Sequence, residues 1–535
     1  MTIVPGSAIT DPVSVDAPGT RQIGFDRARF ANCSEVLWQN LERNPNATAI
    51  TGPSGAVTYK ELIESASRWG NALKDFGLKR GERVILFLDD TPFYPAVFFG
   101  AVRAGFVPVL LNTQSPRDTL AYYLQDSQAR VAVCDLALSE MFDADLLRGS
   151  AIEAVVVVEG ESRLPQHYTA DVFLSEATAA LGCADTGPED MAFWMYSSGT
   201  TGRPKGIVHL HHDMAYTQAS YGERVLGIRP EDICFSVPKI FFAYGFGNSL
   251  TFPFSVGATS VLLPGRPHPS LIFDAIEKFR PTLFFGLPTL YTALAASPEA
   301  KTRDLRSIRR SISAAETLSQ EIYEAWKSLT GHGPTEGLGS TELLHIYLSN
   351  SHDDQRIGAA GQAVPGYEIQ LVTPDGQPVG EGEDGVMMVR GDSSAPCYWQ
   401  QPEKTVETMR GEWIYTGDRF VRREGFYYFQ GRADDLIKVS GQWVWPLEVE
   451  RCLNEHPTVL ECAVLAHKLQ DERVVLRAVV VLRGENKPNE TTTKMLQAFV
   501  RDELMPFKAP RLVEYRDMLP KTGTGKIDRQ ALLKE

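Results

Sequence analysis

The sequence predicts an α/β protein, in which a large N-terminal domain of α/β sheets with a β-rich portion precedes a small C-terminal α+β domain. Its 535 residues exceed the length of one ordinary domain. Between Val57 and Leu111, amphipathic helices alternate with short buried strands, a pattern typical of a mostly parallel sheet. From about Ile357 onward, short β segments separated by Gly and Pro turns replace this alternation.

Hydrophobic periodicity predicts the individual elements. Helices are expected over 60–77 and 94–104, and buried strands over 83–88, 107–111, 130–134 and 154–158. The β-rich portion includes 367–372 and 385–390. The C-terminal part is expected to form helix 446–455, strands near 460–466 and 474–482, and helix 494–504. We place the boundary at the charged stretch 432–435, which gives domains 1–431 and 432–535.

Composition excludes several classes of protein. The 53 Lys and Arg residues against 67 Asp and Glu residues give a net charge of −14, which argues against a nucleic-acid or anionic-membrane partner. The uncharged segment 240–265 contains prolines, glycines and hydroxyl side chains, so a buried strand, turn and helix within the core are favoured over a membrane span. Seven scattered cysteines without a CxxC pair, and a start without signal-peptide features, predict reduced thiols and a cytoplasmic protein.

A loop rich in glycine and hydroxyl side chains is the strongest local signal. It runs from Tyr196 to Gly206 and reads YSSGTTGRPKG. Small residues let backbone N–H groups approach a polyphosphate, hydroxyls donate to its oxygens, and Lys205 supplies positive charge. The loop is not a Walker A motif, since Pro204 and Ile207 stand where its second glycine is required. A phosphate site is therefore favoured over a flexible surface loop.

Three further segments are weaker when each is taken singly. The turn GLGSTE at 337–342 could hold Mg²⁺ and a phosphate oxygen, or equally lead into a capped helix. YTGD at 415–418 and GRADDLIK at 431–438 could take ribose hydroxyls, although a hairpin with a surface ion pair is the plainer interpretation. The segment PKTGTGKID at 520–528 carries a lysine on a Gly-rich tail, which is ordinarily only solvated.

Together and in this order, the four motifs resemble those of the acyl-adenylate-forming (ANL) superfamily of acyl-CoA synthetases, adenylation domains and luciferases. The resemblance covers the chain from about Phe30 to the end, and FFAYGFGN at 241–248 and GSTELLHI at 339–346 look like the benzoate-CoA ligase branch. It implies two half-reactions. A carboxylate attacks the α-phosphate of ATP to give an acyl-adenylate and pyrophosphate, and the thiol of coenzyme A then attacks the acyl carbonyl and releases AMP.

The resemblance also implies roles for individual residues. Lys526 would act at the α-phosphate and carboxylate, Thr341 would contact the α-phosphate, and Glu342 would bind Mg²⁺. Further ATP contacts are expected from the phosphate loop, the adenine side and the ribose side, namely Ser197, Ser198, Gly199, Thr200, Thr201, Lys205, Ala315, Glu316, Gly337, Leu338, Asp418 and Arg432. Leu338 departs from the many members that carry a tyrosine stacked on adenine.

In the family the small domain is mobile and rotates between the two half-reactions. Asp434 matches the hinge, and Ser440, Gly441 and Trp443 would line the tunnel for coenzyme A. The residues expected around the acyl group are Ala243, Tyr244, Phe252, Gly339 and His345. A short pocket rich in aromatic side chains suits a planar ring better than a fatty chain. We therefore expect a small aromatic carboxylic acid as substrate.

The resemblance leaves the acid and the acceptor open. Benzoate, 4-hydroxybenzoate and aminobenzoate are not separated, because one polar side chain can decide between ring substituents. His345 could hydrogen-bond a ring substituent, or equally a backbone partner in the core. A carrier protein is an alternative acceptor, and a non-catalytic nucleotide-binding scaffold is a third hypothesis, against which the complete set of charged motif residues argues. A homodimer is expected from the family alone. His209, His211 and His212 are interpreted as structural rather than as metal ligands.

Overall fold

The computed structural model describes residues 23–164, 166–197, 203–433, 435–439, 442–469, 473–484, 486–521 and 527–534. The chain divides into two compact units. The first comprises Met1–Ile369 and Val389–Tyr415, and the second comprises Gln370–Met388 and Thr416–Glu535. The second unit thus takes in segments upstream of the boundary expected at residue 432. Since the expected hinge residue, Asp434, lies outside the described residues, that boundary stays a prediction.

A seven-stranded sheet forms one half of the first unit. All neighbouring strands are parallel except the last two, and the order is Tyr168–Thr169, Ala154–Val158, Val131–Asp135, Arg83–Phe87, Val107–Leu110, Met191–Ser197 and Lys205–Leu210. Helices Tyr59–Asp75, Phe93–Arg103 and Arg117–Ser127 accompany it. Thr58 and Glu61 form a capping box at the start of the first helix. Gly100 lets the first two helices pack closely, because a Cβ there would lie 2.2 Å from Ala66 O.

A nine-stranded sheet forms the other half of the first unit. Its order is Gln362–Ala363, Ile346–Ser349, Thr335–Gly339, Arg310–Ala314, Leu283–Gly286, Ile233–Ser236, Thr259–Val261, Thr48–Gly52 and Gly55–Thr58, with six parallel strands between antiparallel ends. Helices Pro269–Phe279, Pro288–Ala296 and Gln320–Thr330 accompany it. Trp326 is fully buried against Phe284 and Tyr291, at ring-centroid distances of 5.6 and 4.9 Å.

The uncharged segment 240–265 lies in the core of the first unit. It forms helix Ala243–Phe246, π-helix Gly247–Thr251 and helix Phe252–Val256, which precede strand Thr259–Val261, so the helices come before the strand rather than after it as expected. Phe246 packs against Phe98 and Phe193, at ring-centroid distances of 5.1 and 5.0 Å. No helix in the described part of the chain is long and apolar enough to cross a membrane.

The second unit contains most of a five-stranded sheet and a separate α+β fold. The five strands are Glu368–Val372, Asp384–Arg390, Met409–Arg410, Trp413–Arg423 and Phe426–Arg432, and the last two form an antiparallel hairpin. After the short strands Ile437–Val439 and Gln442–Val444 come helices Pro446–Glu455 and Glu490–Glu503 and the three-stranded sheet Val459–Lys468, Val474–Leu482 and Leu512–Tyr515. The two units together confirm the predicted fold class.

Candidate active site

The predicted phosphate loop connects two antiparallel strands of the seven-stranded sheet. Ser197, the last residue of one strand, pairs with Lys205, the first residue of the next. The strand before the loop is fastened by Tyr196, whose hydroxyl donates to Asp126 Oδ2 at 2.6 Å. The loop residues Ser198, Gly199, Thr200 and Thr201 lie outside the described residues. Their expected phosphate contacts stay predictions.

The second motif forms a tight turn between two antiparallel strands of the nine-stranded sheet. Strand Thr335–Gly339 leads into a single 3₁₀ turn, Thr341–Leu343, and the chain returns along Ile346–Ser349. A Cβ at Gly339 would lie 2.4 Å from His345 O, so only glycine fits where the two strands meet. Leu344 takes a left-handed φ of +64°, and the next residue is His345. The turn that bears Thr341 and Glu342, and His345 of the expected acid pocket, therefore lie on one short stretch of chain.

Contacts from two other parts of the first unit hold this turn. His209 Nε2 lies 2.8 Å from Thr341 O, and Ala395 N donates to Glu342 O at 2.8 Å. Ser393 Oγ donates to Leu343 O at 2.9 Å, and the Tyr398 hydroxyl donates to Glu342 Oε1 at 2.8 Å. Each backbone carbonyl of the turn is thus in hydrogen-bonding contact with a residue outside the turn, and so is the Glu342 carboxylate. The first and second motifs meet here, because His209 lies on the strand that begins at Lys205.

The histidines after the phosphate loop are used for hydrogen bonds. Besides the contact with Thr341, the His209 ring places Nδ1 2.8 Å from Asp213 Oδ2, and both side chains are fully buried. The His211 ring accepts from a backbone N–H, and burial lowers its pKa to about 4. His212 places each ring nitrogen 2.8 Å from a backbone carbonyl. The described part of the chain contains no group of three His, Cys, Asp or Glu side chains that could hold a metal.

The residues expected beside adenine lie at the ends of neighbouring strands. Ala315 and Glu316 directly follow strand Arg310–Ala314, and Ala314 pairs in parallel with Gly337 of the next strand. The carboxyl ends of parallel strands are where open α/β sheets bind ligands. Ala315 has a φ of +72°, a conformation that non-glycine residues rarely adopt, and its side chain is exposed. The structure therefore brings Ala315, Glu316 and Gly337 to one edge of the sheet.

Four aromatic rings form the centre of the expected acid pocket. The buried His345 ring lies 4.6 Å from Phe252, 5.7 Å from Tyr244 and 5.2 Å from Tyr221, measured between ring centroids. Burial lowers the pKa of His345 to about 3, so the ring is neutral. The Tyr244 backbone opposes this fall in pKa, but neither ring nitrogen of His345 has a partner at normal hydrogen-bond geometry among the described residues. Ala243 begins the helix that carries Tyr244.

The two residues expected at the ribose meet in the second unit. Asp418 and Arg432 are cross-strand neighbours in the hairpin, and Arg432 Nη1 donates to Asp418 Oδ1 at 3.1 Å. Gly417 makes room for this pair, since a Cβ there would lie 2.9 Å from Arg432 Nη2. Asp434, Ser440, Gly441 and Lys526 lie outside the described residues. Of Trp443 only the backbone is described, and it pairs with Lys438.

Three residues of this site were not singled out as functional by sequence reasoning. Tyr398 and Tyr221 carry no recognisable motif, and His209 was noticed only as part of a histidine run. The π-helix Gln218–Leu226 carries the buried Tyr221, and π-helices occur often at functional sites, but sequence patterns do not reveal them. Long-range packing brings all three to the site.

Comparison with known proteins identifies the family. A model of the AMP-binding enzymes matches residues 37–399, and a model of the AMP-binding enzyme C-terminal domain matches residues 448–526. The chain belongs to the AMP-binding enzymes. It is 40% identical to the benzoate–CoA ligase of Thauera aromatica over 94% of this chain and 95% of that protein. It is also 40% identical to the 4-hydroxybenzoate–CoA/benzoate–CoA ligase of Rhodopseudomonas palustris, over 90% of each chain.

A solved structure of an anthranilate CoA ligase has the same fold. The crystal structure of an anthranilate CoA ligase in complex with anthranoyl-AMP matches with a TM-score of 0.87 at 36% identity, covering 94% of this chain and 96% of that one. Together with the sequence relatives, it confirms the resemblance to the adenylate-forming superfamily and its benzoate-CoA ligase branch.

Proposed function

We propose that this AMP-binding enzyme is an AMP-forming aryl-CoA ligase that converts benzoate, or a close ring-substituted benzoate, with ATP and coenzyme A into aryl-CoA, AMP and pyrophosphate. The observation that carries the proposal is the shared stretch 339–345, which joins the turn bearing Thr341 and Glu342 to the pocket bearing His345. An aryl carboxylate bound among these rings would lie next to the groups expected at the α-phosphate. The 40% identical benzoate–CoA ligase of Thauera aromatica supports the same activity.

The first half-reaction needs positive charge and hydrogen-bond donors around the phosphates. Lys205 and the hydroxyls of the phosphate loop would bind the β- and γ-phosphates, and Thr341 the α-phosphate. Lys526 would place its ammonium between the α-phosphate and the attacking carboxylate. Asp418 and Arg432 would hold the ribose hydroxyls.

Glu342 is a suitable ligand for Mg²⁺ that arrives with ATP. Its side chain is only partly buried, and carboxylate oxygens are the hard ligands that this ion prefers. Mg²⁺ is commonly bound through one or two carboxylates plus substrate phosphates rather than by an all-protein cage. The bound ion would neutralise charge on the phosphates, while the protein's part is to hold the carboxylate in place.

The second half-reaction would follow rotation of the C-terminal domain about Asp434. Ser440, Gly441 and Trp443 would then line the path of coenzyme A to the acyl-adenylate. We further propose a cytoplasmic homodimer. The seven cysteines, none of which is in a disulfide, support a reducing compartment.

A substituted ring is the second candidate substrate. In the described part of the chain the buried His345 nitrogens have no hydrogen-bonding partner, and a ring hydroxyl or amino group could supply one. The relatives that act on 4-hydroxybenzoate and anthranilate support this alternative.

The decisive experiment is steady-state AMP formation with ATP, Mg²⁺ and coenzyme A against benzoate, 4-hydroxybenzoate, 2-aminobenzoate and hexanoate. We expect the highest kcat/KM with one of the aromatic acids. His345→Leu should remove any preference for a substituted ring over benzoate. Activity on hexanoate alone would contradict the aryl pocket, and AMP formation that does not respond to any acid would contradict the ligase.

A further inference from the structure

Tyr398 lies between two residues that belong to different motifs. Its side chain is buried, its ring centroid is 4.5 Å from Lys205 Nζ, and its hydroxyl donates to Glu342 Oε1 at 2.8 Å. An ammonium group near the face of a tyrosine is attracted by the ring electrons. One side chain thus contacts both the lysine of the phosphate loop and the carboxylate expected to bind Mg²⁺.

Backbone contacts keep Tyr398 in this position. Tyr398 forms a β-bridge with Ile207, and the following Trp399 N donates to Gly206 O at 2.7 Å. Earlier in the same segment, Ala395 N donates to Glu342 O at 2.8 Å. The segment 395–399 is therefore joined on one side to the strand that starts at Lys205 and on the other side to the turn at Glu342. A shift of the segment 395–399 would break these backbone hydrogen bonds or move one of its two neighbours.

We propose that Tyr398 is a positioning residue, which sets the separation of Lys205 from Glu342 and orients the Glu342 carboxylate for Mg²⁺ bound to ATP. The inference rests on the proposed function. A hydrogen bond to Oε1 restricts rotation of the carboxylate, so its metal-binding geometry exists before the nucleotide arrives. Groups that hydrogen-bond to metal ligands typically change metal affinity by about ten- to a hundredfold when they are removed.

Tyr398→Phe tests the hydroxyl alone, because it keeps the aromatic ring beside Lys205. We expect the Mg²⁺ concentration for half-maximal benzoate-dependent pyrophosphate–ATP exchange to rise about tenfold or more. A binding assay without turnover compares the melting temperature of the protein with ATP alone and with ATP plus Mg²⁺. In Tyr398→Phe we expect a smaller increase in melting temperature on adding Mg²⁺, while the increase caused by ATP alone stays as in the wild type. An unchanged Mg²⁺ requirement in folded Tyr398→Phe would overturn the proposal.

Tyr59→Phe is the matched control. The Tyr59 hydroxyl is also buried and donates to a backbone carbonyl, Ala258 O, at 2.5 Å. Its loss should lower thermal stability but leave the Mg²⁺ requirement as in the wild type. An equal rise in the Mg²⁺ requirement in this control would show that the effect of Tyr398→Phe is only a general loss of stability, and would overturn the proposal.

A double-mutant cycle with Glu342→Gln tests whether Tyr398 acts through Glu342. In the Glu342→Gln background, Tyr398→Phe should change the exchange rate by less than about twofold, since coupled residues are not additive. Independent, multiplying effects would overturn the proposal. If Tyr398→Phe does not fold, Glu342→Asp is the alternative variant, because its shorter side chain withdraws the carboxylate from the Tyr398 hydroxyl. We expect it to raise the Mg²⁺ requirement. An unchanged requirement would count against the proposal. A wild-type protein without any aryl-dependent exchange would instead contradict the proposed function.

Discussion

Replacing Gly247 by alanine should displace His345 and damage the proposed acid pocket. A Cβ on Gly247 would lie 2.3 Å from Cδ2 of His345 and 2.8 Å from its Nε2. An ordinary carbon–carbon contact needs about 3.5 Å, so the ring must retreat by about 1 Å. Tyr221, Tyr244 and Phe252 surround this ring, with centroids 4.6 to 5.7 Å away. The retreat therefore moves the walls of the pocket as well.

A misplacement of about 1 Å can cost about a hundredfold in rate. We expect kcat/KM for benzoate in Gly247→Ala to fall by about that factor, while KM for ATP stays within about twofold of the wild type. The assay is initial-rate AMP formation, titrating benzoate at saturating ATP and then ATP at saturating benzoate. Gly182→Ala is the matched control, because its Cβ would meet no atom within 4 Å.

Two outcomes would refute this reasoning. Wild-type kcat/KM for benzoate in a folded Gly247→Ala protein would exclude His345 from the acid pocket. If KM for ATP rose as much as kcat/KM for benzoate fell, Gly247→Ala would affect nucleotide binding as well as the proposed acid pocket. The melting temperature, measured in parallel, separates both outcomes from failure to fold.

Two further variants test the buried polar groups of the first unit. His209→Leu removes the contact with Thr341 O and leaves the Asp213 carboxylate buried without its histidine, so we expect at least about a tenfold slower pyrophosphate exchange and a lower melting temperature. An unchanged exchange rate in the folded variant would contradict the role of His209 in holding the turn. Burial raises the pKa of Asp90 from 3.8 to about 7, although nearby Lys239 opposes the rise. Because the folded pKa is the higher one, stability from the protonated carboxyl is fully present below about pH 4 and is lost as the pH rises through 7. Asp90→Asn should therefore flatten the dependence of melting temperature on pH in this range, and an unchanged slope would show that Asp90 does not titrate there.

Local periodicity and turn chemistry determined much of the fold. The helix expected over 94–104 forms as Phe93–Arg103, and the strand expected over 83–88 as Arg83–Phe87, because a run of apolar residues of the right length depends only on neighbouring residues. The first and last residues of the helices and strands were predicted less accurately. The helix expected at 494–504 starts earlier, at Glu490, since the Asn489 side chain caps it by accepting from Thr492 N.

The sequence by itself also determined the chemistry that each motif can offer. The Gly-rich loop ending in Lys205 and the turn carrying Thr341 and Glu342 are each a continuous stretch of chain, so residue type and spacing predict what each could bind.

Only the tertiary structure decided how these motifs are joined. Tyr398 links Lys205 to Glu342, and His209 links the phosphate-loop strand to Thr341, through contacts between residues far apart in sequence. The Tyr221 ring contacts His345 from a π-helix that the sequence pattern did not predict. The reason is physical: a motif's local geometry depends on its own residues, whereas the partner of a buried polar group depends on which side chains the packed sheets and loops bring within about 3 Å.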